Sequence, residues 1–309
     1  MLRYQSLKQR PRAFLSFTSL KVEEFDKLVA VIRDDWTKWR EKRLIPFEKR
    51  KRKEGGGRKY ALATLEDWLL LTLVWSRLYH AYIILEHLFS VDESTVSRVI
   101  TGTLPLLKDR FTLPERLPRK KVRTLEELKE LLPDVDIDAV LADATEQVIL
   151  RPQNKRKRKP YHSGKQQDFT EKTQIATTQK GYILHVSDST GGRRHDYRLF
   201  KESKLPQVIP KDVPLYLDTG YQGVRTDYPD LRVEIPFKRK KGQGNLSHSQ
   251  KIFNKKQRRI RIRVENVIAQ LKKYQVLNQT YRHAREKYNA AFRFVANILD
   301  FRMLSRGFA

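Results

Sequence analysis

Three acidic side chains stand where a chemistry that cuts nucleic acid would need them. Asp143 ends the apolar run Val140-Leu141-Ala142, and Asp218 ends a second, Pro214-Leu215-Tyr216-Leu217. Glu265 is the only acid between Lys255 and Lys273, a stretch patterned as a basic helix. The chain carries 64 Lys and Arg against 36 Asp and Glu, a formal net charge of +28. Carboxylates collected among so many phosphate-binding cations suggest metal-assisted phosphoryl transfer, in which two divalent ions roughly 3.5 to 4 Å apart serve the attacking and leaving oxygens. Each residue also has a plainer reading. Asp143 can cap a strand end, Asp218 can serve the turn at Thr219-Gly220, and Glu265 can pair with Arg261 one helical turn earlier.

The elements that must position these groups are legible as patterns. Strand-like runs occupy 137–145, 147–151, 169–178, 182–187, 215–218 and 233–237, so neighbouring strands would hold Asp143 and Asp218 at one sheet edge. A long helix is expected over 250–277. Its residues Ile260, Val264, Val267, Ile268 and Leu271 form the apolar stripe that docks it. Arg261, Glu265 and Lys272 recur along an adjoining stripe, the second four residues after the first and the third seven after the second, setting one carboxylate between two phosphate-binding cations. Glu286, with Arg282 four residues before it, is the alternative third acid, although position 293 is Arg rather than Lys. Asp196, after His195, reads as structural or supporting. The seven histidines show no metal-ligand spacing, which argues against zinc.

The first third reads as helical: 22–39, then 65–78 with Thr64 as N-cap, then 80–89 and 93–107 joined by Ser90-Val91-Asp92. Ser90 and Glu93 fit a capping box for the last of these. Leu85, Leu88, Phe89, Val91, Val96, Val99 and Ile100 form the expected inner face, leaving Ser94, Thr95, Ser97 and Arg98 outside. A helix-turn-helix would offer these four to a major groove, whereas an ordinary helical hairpin would offer them to water. Lys49 to Lys59 is a glycine-broken basic loop, a solvated linker or a phosphate contact. The tracts Lys155 to Lys159 and Lys238 to Lys241 are generic phosphate contacts or solvated loops rather than base readers. The Pro-rich basic stretch 114–124 marks the boundary, giving a helical domain over 1–124 and an α/β domain over 125–309, whose first element is a short helix over 125–132.

Composition narrows the partners. An excess of basic side chains and a pI near 10.2 imply a polyanion, with nucleic acid the default. There is no cysteine, so disulfides and thiolate metal sites are excluded. The apolar run Trp68 to Trp75 is far too short to span a bilayer, and the first residues lack a signal-peptide core. The expectation is a cytoplasmic, nucleoid-associated protein with no membrane partner.

Several segments together carry a family resemblance: Asp143-Ala144-Thr145-Glu146, Asp218-Thr219-Gly220-Tyr221-Gln222-Gly223, His195 to Phe200, Gly55 to Lys59, and Arg261-x3-Glu265-x6-Lys272. The chain resembles the DDE transposases of bacterial insertion sequences, in the group related to Harbinger-type elements, over nearly its whole length. The tyrosine common three residues before the family's arginine is Arg258 here. The resemblance implies an RNase H-like mixed-sheet catalytic domain preceded by an all-helical helix-turn-helix domain. It also implies two Mg²⁺ ions, replaceable by Mn²⁺, on Asp143, Asp218 and Glu265. DNA contacts are expected from Ser94, Ser97, Arg98, Arg261 and Lys272. The implied partners are double-stranded DNA, as terminal inverted repeats and target, and further copies of the chain. A metal nuclease without joining activity and a transposase-derived DNA-binding regulator are the rival functions.

Overall fold

The computed structural model describes residues 1–43, 60–108, 110–113, 124–203, 205–239, 242 and 244–308. The basic loop at 49–59, the stretch 114–123 and the pair Lys240-Lys241 lie outside the described residues. The chain folds as two compact units, Met1–Lys108 with Tyr274–Val276, and Asp109–Lys273 with Leu277–Ala309. Among the described residues no helix is long and apolar enough to cross a membrane.

The first unit is helical: α1 (Tyr4–Leu7), α2 (Pro11–Thr18), α3 (Val22–Arg43), α4 (Leu65–Leu78), α5 (Tyr82–Phe89) and α6 (Glu93–Thr103). Its axis is α4, in which every residue from Leu69 to Ser76 is buried. Thr64 caps α4 by accepting from the Asp67 amide, as its sequence predicts. The buried hydroxyls of Thr72 and Ser76 donate back to the Trp68 and Leu73 carbonyls, which satisfies both within the helix. The turn between α5 and α6 departs from expectation. Ser90 closes α5 in the left-handed region (φ 48°), and Asp92, rather than Ser90, caps α6 by accepting from the Thr95 amide at 2.9 Å. The reason is positional: a residue spent on ending one helix lies too early to start the next. Leu88, expected inside, is exposed. The regular helix stops at Thr103 and continues as a 3-10 turn through Leu107, where Pro105 has no amide hydrogen to donate.

The second unit opens with α7 (Leu125–Leu131) and is built on β1 (Val140–Val148), α8 (Lys155–Tyr161), β2 (His162–Ser163), β3 (Asp168–Thr178), β4 (Ile183–Val186) and β5 (Thr190–Gly191). These are followed by α9 (Asp196–Glu202), α10 (Leu205–Val208), β6 (Leu215–Tyr216), α11 (Val224–Asp227), β7 (Val233–Glu234), α12 (His248–Leu271) and α13 (Tyr288–Ser305). The sheet order is β2-β3-β1-β6-β7, with β4 and β5 also on β3. β1 and β3 are antiparallel over nine residue pairs, whereas β6 and β7 run parallel to β1. The expected α/β class with a mixed sheet and a late helix is what is observed, in keeping with an RNase H-like arrangement.

Two expected strands, 137–145 and 147–151, are in fact the single strand β1, so Asp143 sits inside a strand rather than at its end. Polar Thr145, Glu146 and Gln147 break the apolar pattern but remain paired with Thr173, Lys172 and Glu171 of β3. The basic tract after Asn154 is helical rather than a loop, because the Asn154 side chain caps it by accepting from the Arg156 amide. The long helix ends at Leu271, six residues short of the expected end. α13, which no sequence pattern announces, is wholly buried from Ala291 to Phe301. Its Asp300 accepts from the Ile183 amide at 2.8 Å, and its Arg293 pairs with Asp188 at 3.0 Å, fastening the helix to β4 and the segment after it.

Candidate active site

Strand register brings the two aspartates level. β1 and β6 are in parallel register only at Val140 with Leu215 and Leu141 with Tyr216. Asp143 and Asp218 each lie two residues further on, where the ladder has ended. Both therefore lie just past the carboxyl ends of the parallel pairing, the usual place for a ligand in an α/β sheet. Beyond Leu141 the freed edge of β1 is bordered by α12, and Lys272, at the end of that helix, donates from Nζ to the Glu146 carbonyl at 3.3 Å. Val264, Val267 and Leu271 are buried as the apolar stripe predicts, and Ile260 and Ile268 are half-buried.

Docked this way, α12 sends Arg261 between the aspartates. Its guanidinium donates to Asp218 Oδ1 at 3.0 Å and lies 3.7 Å from Asp143 Oδ2. The arginine side chain is only 12 % exposed, and its Nε is buried without a partner. Burial pushes the Asp143 carboxyl up to about 6, aided by the charges of Asp218 and Asp196 and opposed by the Ala144 amide and Arg261. Tyr221, fully buried, lies near Asp196, Asp143 and Asp218; burial and these charges hold its phenol protonated, and Gln174 Nε2 donates to its oxygen.

Glu265 lies one turn beyond Arg261, exposed to solvent, and forms no ion pair among the described residues. The surface pair with Arg261 is therefore not made, because that guanidinium is engaged by the two aspartates. Glu286 is also exposed, in a short 3-10 turn before α13. Among the described residues no three acidic or histidine side chains converge closely enough to hold a metal. Asp143 and Asp218 nonetheless offer the hard oxygen donors that a magnesium-class cation takes, already drawn toward one positive group.

A supporting cluster lies on the same sheet. Lys172 of β3 contacts Glu146 at 3.3 Å, Asp196 at 2.8 Å and the Arg194 carbonyl at 2.7 Å. Burial pushes Glu146 up, yet hydrogen bonds from Ser163 and Thr170 and the Lys172 ammonium together hold its carboxyl below the usual range. Asp196 is thereby fixed at the start of α9, whose N-cap is His195. Glu146 ends the Asp143-Ala144-Thr145-Glu146 segment, but Lys172 carries no motif visible in one dimension and nothing in the sequence joins the two. Only their opposition across β1 and β3 could have singled them out.

In the helical unit Ser94 and Arg98 are exposed on α6, and Thr95 and Ser97 are half-buried. The Ser94 hydroxyl donates to Asp92, Arg98 reaches Thr95 Oγ1 at 3.4 Å, and Ser97 bonds Tyr82. Ser94 and Arg98 are thus the outward pair, and Ser97 is partly spent on α5.

Comparison with known proteins covers both units. Residues 60–113 match the family described as helix-turn-helix of DDE superfamily endonuclease, a span containing α4, α5 and α6. Over 296 residues the chain is 29 % identical to the "Probable transposase for insertion sequence element IS702" of Microchaete diplosiphon, covering 94 % of this chain and 95 % of that one. It is 25 % identical over 268 residues to the "Putative transposase for insertion sequence element IS112" of Streptomyces albus G, covering 86 % of each. No solved structure matches. Residues 142–299, just over half the chain and including both aspartates, α12 and most of α13, match the model of the DDE superfamily endonucleases, and the chain belongs to that family.

Proposed function

We propose that this protein is a DNA transposase that cuts at the ends of its own element and joins the freed 3′-hydroxyls to target DNA. The observation that carries the reading is the level placement of Asp143 and Asp218 beyond the β1–β6 register, on a common cationic group from α12. Asp143, Asp218 and Glu265 would hold two Mg²⁺ ions, for which Mn²⁺ can stand in. When bound, the ions lower the pKa of a water or hydroxyl nucleophile and neutralise charge on the phosphate. The chain's own contribution is positional. β1 and the segment just past β6 fix two carboxylates, Glu265 would supply a third from the docked helix α12, and Arg261 and Lys272 set positive charge beside the path of the phosphates. No covalent link between protein and DNA is needed.

The helical unit, Met1–Lys108 with Tyr274–Val276, would recognise terminal inverted repeats through Ser94, Ser97 and Arg98, with the remaining basic surface supplying phosphate contacts. Two ends must be held together for paired joining, so the active complex would be a homo-oligomer on double-stranded DNA, in the cytoplasm at the nucleoid. The test is a labelled duplex ending in the element's terminal repeat, incubated with the full chain, Mg²⁺ and a supercoiled plasmid. Label covalently joined to plasmid supports transposition. Cut duplex without joined product assigns a nuclease, and bound but uncut duplex a DNA-binding regulator.

A further inference from the structure

Arg261 does more in this structure than line a phosphate path. Among the described residues it is the group that pairs with both aspartates, at 3.0 Å to Asp218 and 3.7 Å to Asp143. Two carboxylates brought level by strand register repel each other, and Asp143 is additionally buried, so each favours a neighbouring positive charge. Arg261 supplies that charge from α12, whose stripe of Val264, Val267 and Leu271 is anchored in the core. Its guanidinium is nevertheless incompletely satisfied, since Nε is buried with no acceptor. Such a group holds its partners in place while keeping an unmet demand for a further oxygen.

We infer that Arg261 is a positioning residue that competes with divalent cations: it holds Asp143 and Asp218 together in the metal-free protein and must leave them when cations bind. This rests on the reading that those carboxylates are metal ligands. Released from the aspartates, the guanidinium has its donors open to a DNA phosphate beside Glu265, one turn further along the same helix. Arrival of a phosphate and loading of cations then favour each other, because both draw Arg261 away from the same two carboxylates. Glu265, exposed and without an ion pair among the described residues, does not oppose the exchange.

The experiment measures Mn²⁺ binding to the full-length, metal-stripped chain without DNA, by the loss of the free-ion paramagnetic resonance signal. Arg261→Gln is expected to bind Mn²⁺ on the order of tenfold more tightly than wild type, the low end of the effect one adjacent opposite charge has on a carboxylate's affinity for a proton. Arg261→Lys should fall between them, since a point charge cannot span two carboxylates as a planar fork does. Arg263→Gln, which removes an equal charge from an exposed position of α12, should change affinity by less than about threefold, as a screened surface charge does. Equal or weaker binding by Arg261→Gln, or an equal gain from Arg263→Gln, overturns the inference. If Arg261→Gln does not fold by circular dichroism, Arg261→Lys decides by the same direction of change. Binding lost in Asp143→Asn but unchanged in Arg261→Gln defeats the competition alone. Binding unchanged in Asp143→Asn defeats the metal reading and the inference with it.

Discussion

Replacing Lys172 by methionine tests how the catalytic sheet is held. The Lys172 and Glu146 side chains are 9 % and 7 % exposed and 3.3 Å apart, a buried ion pair across the central strands β1 and β3. Removing one partner of such a pair costs roughly 3 to 5 kcal/mol, because the other charge is left buried. Glu146 would keep its 2.8 Å hydrogen bond from Thr170, which favours the lower end. The Asp196 contact adds little, at most about 1 kcal/mol, since that carboxylate is 37 % exposed. Lys172→Met should therefore destabilise the α/β unit by about 3 kcal/mol, a large share of the roughly 5 to 15 kcal/mol that holds a domain folded. Glu146→Gln with Lys172→Met should cost about 1 to 3 kcal/mol less than the sum of the single changes. The assay is urea denaturation followed by two signals. All four tryptophans, Trp36, Trp39, Trp68 and Trp75, lie in the helical unit, so their fluorescence reports that unit, whereas circular dichroism reports both. The midpoint of the circular-dichroism transition should fall, and fluorescence shows whether the helical unit follows. A loss below about 1 kcal/mol, or additive single and double changes, would refute the buried-pair account.

Two further outcomes follow from other acids. Glu265→Gln should abolish Mg²⁺- and Mn²⁺-dependent cleavage with no loss of folding, since its carboxylate is exposed and makes no ion pair among the described residues, while Glu286→Gln should cleave normally; the reverse pattern in a duplex-cutting assay moves the third ligand to Glu286. Burial raises Glu171 from 4.5 to about 7, with Arg285 opposing. A raised folded-state value means stability that is complete below about pH 4.5 and is lost as pH rises toward and through 7. At about 1.4 kcal/mol per unit, Glu171→Gln should gain roughly 3 kcal/mol over wild type at pH 8 and almost nothing at pH 4. Thermal melts at both pH values check this, and equal gains at the two would remove the titration as the cause.

What one dimension conveys here is set by periodicity and what it hides is set by register. The α4 boundaries, the Thr64 cap and the stripe of α12 are local signals, and each is found where the pattern puts it. Two apolar runs suffice to place Asp143 on β1 and Asp218 near the neighbouring strand β6, although β6 stops at Tyr216, two residues short of Asp218, which instead opens a 3-10 turn. That they stand level depends on the pairing of Leu141 with Tyr216, which no local pattern encodes. β1 reads as two strands because Thr145, Glu146 and Gln147 are polar, yet their partners lie across the sheet at 171–173. Ser90 and Glu93 have capping-box spacing, but the need to close α5 takes Ser90 and leaves the cap to Asp92. α13 escapes a periodicity reading because it is buried on all sides, leaving no single stripe to count. The engagement of Arg261 by both aspartates requires the docking of α12 and the β1–β6 register together.

The most direct test of the central claim separates binding from chemistry at the two aspartates. Asp143→Ala and Asp218→Ala are each assayed for Mg²⁺-dependent cutting of a terminal-repeat duplex and, in parallel, for affinity to the same duplex by gel shift. Both variants should bind as well as wild type or slightly better, having lost a negative charge, and neither should cut. Cutting retained by either variant would contradict the assignment of Asp143 and Asp218 as the carboxylates that hold the cations.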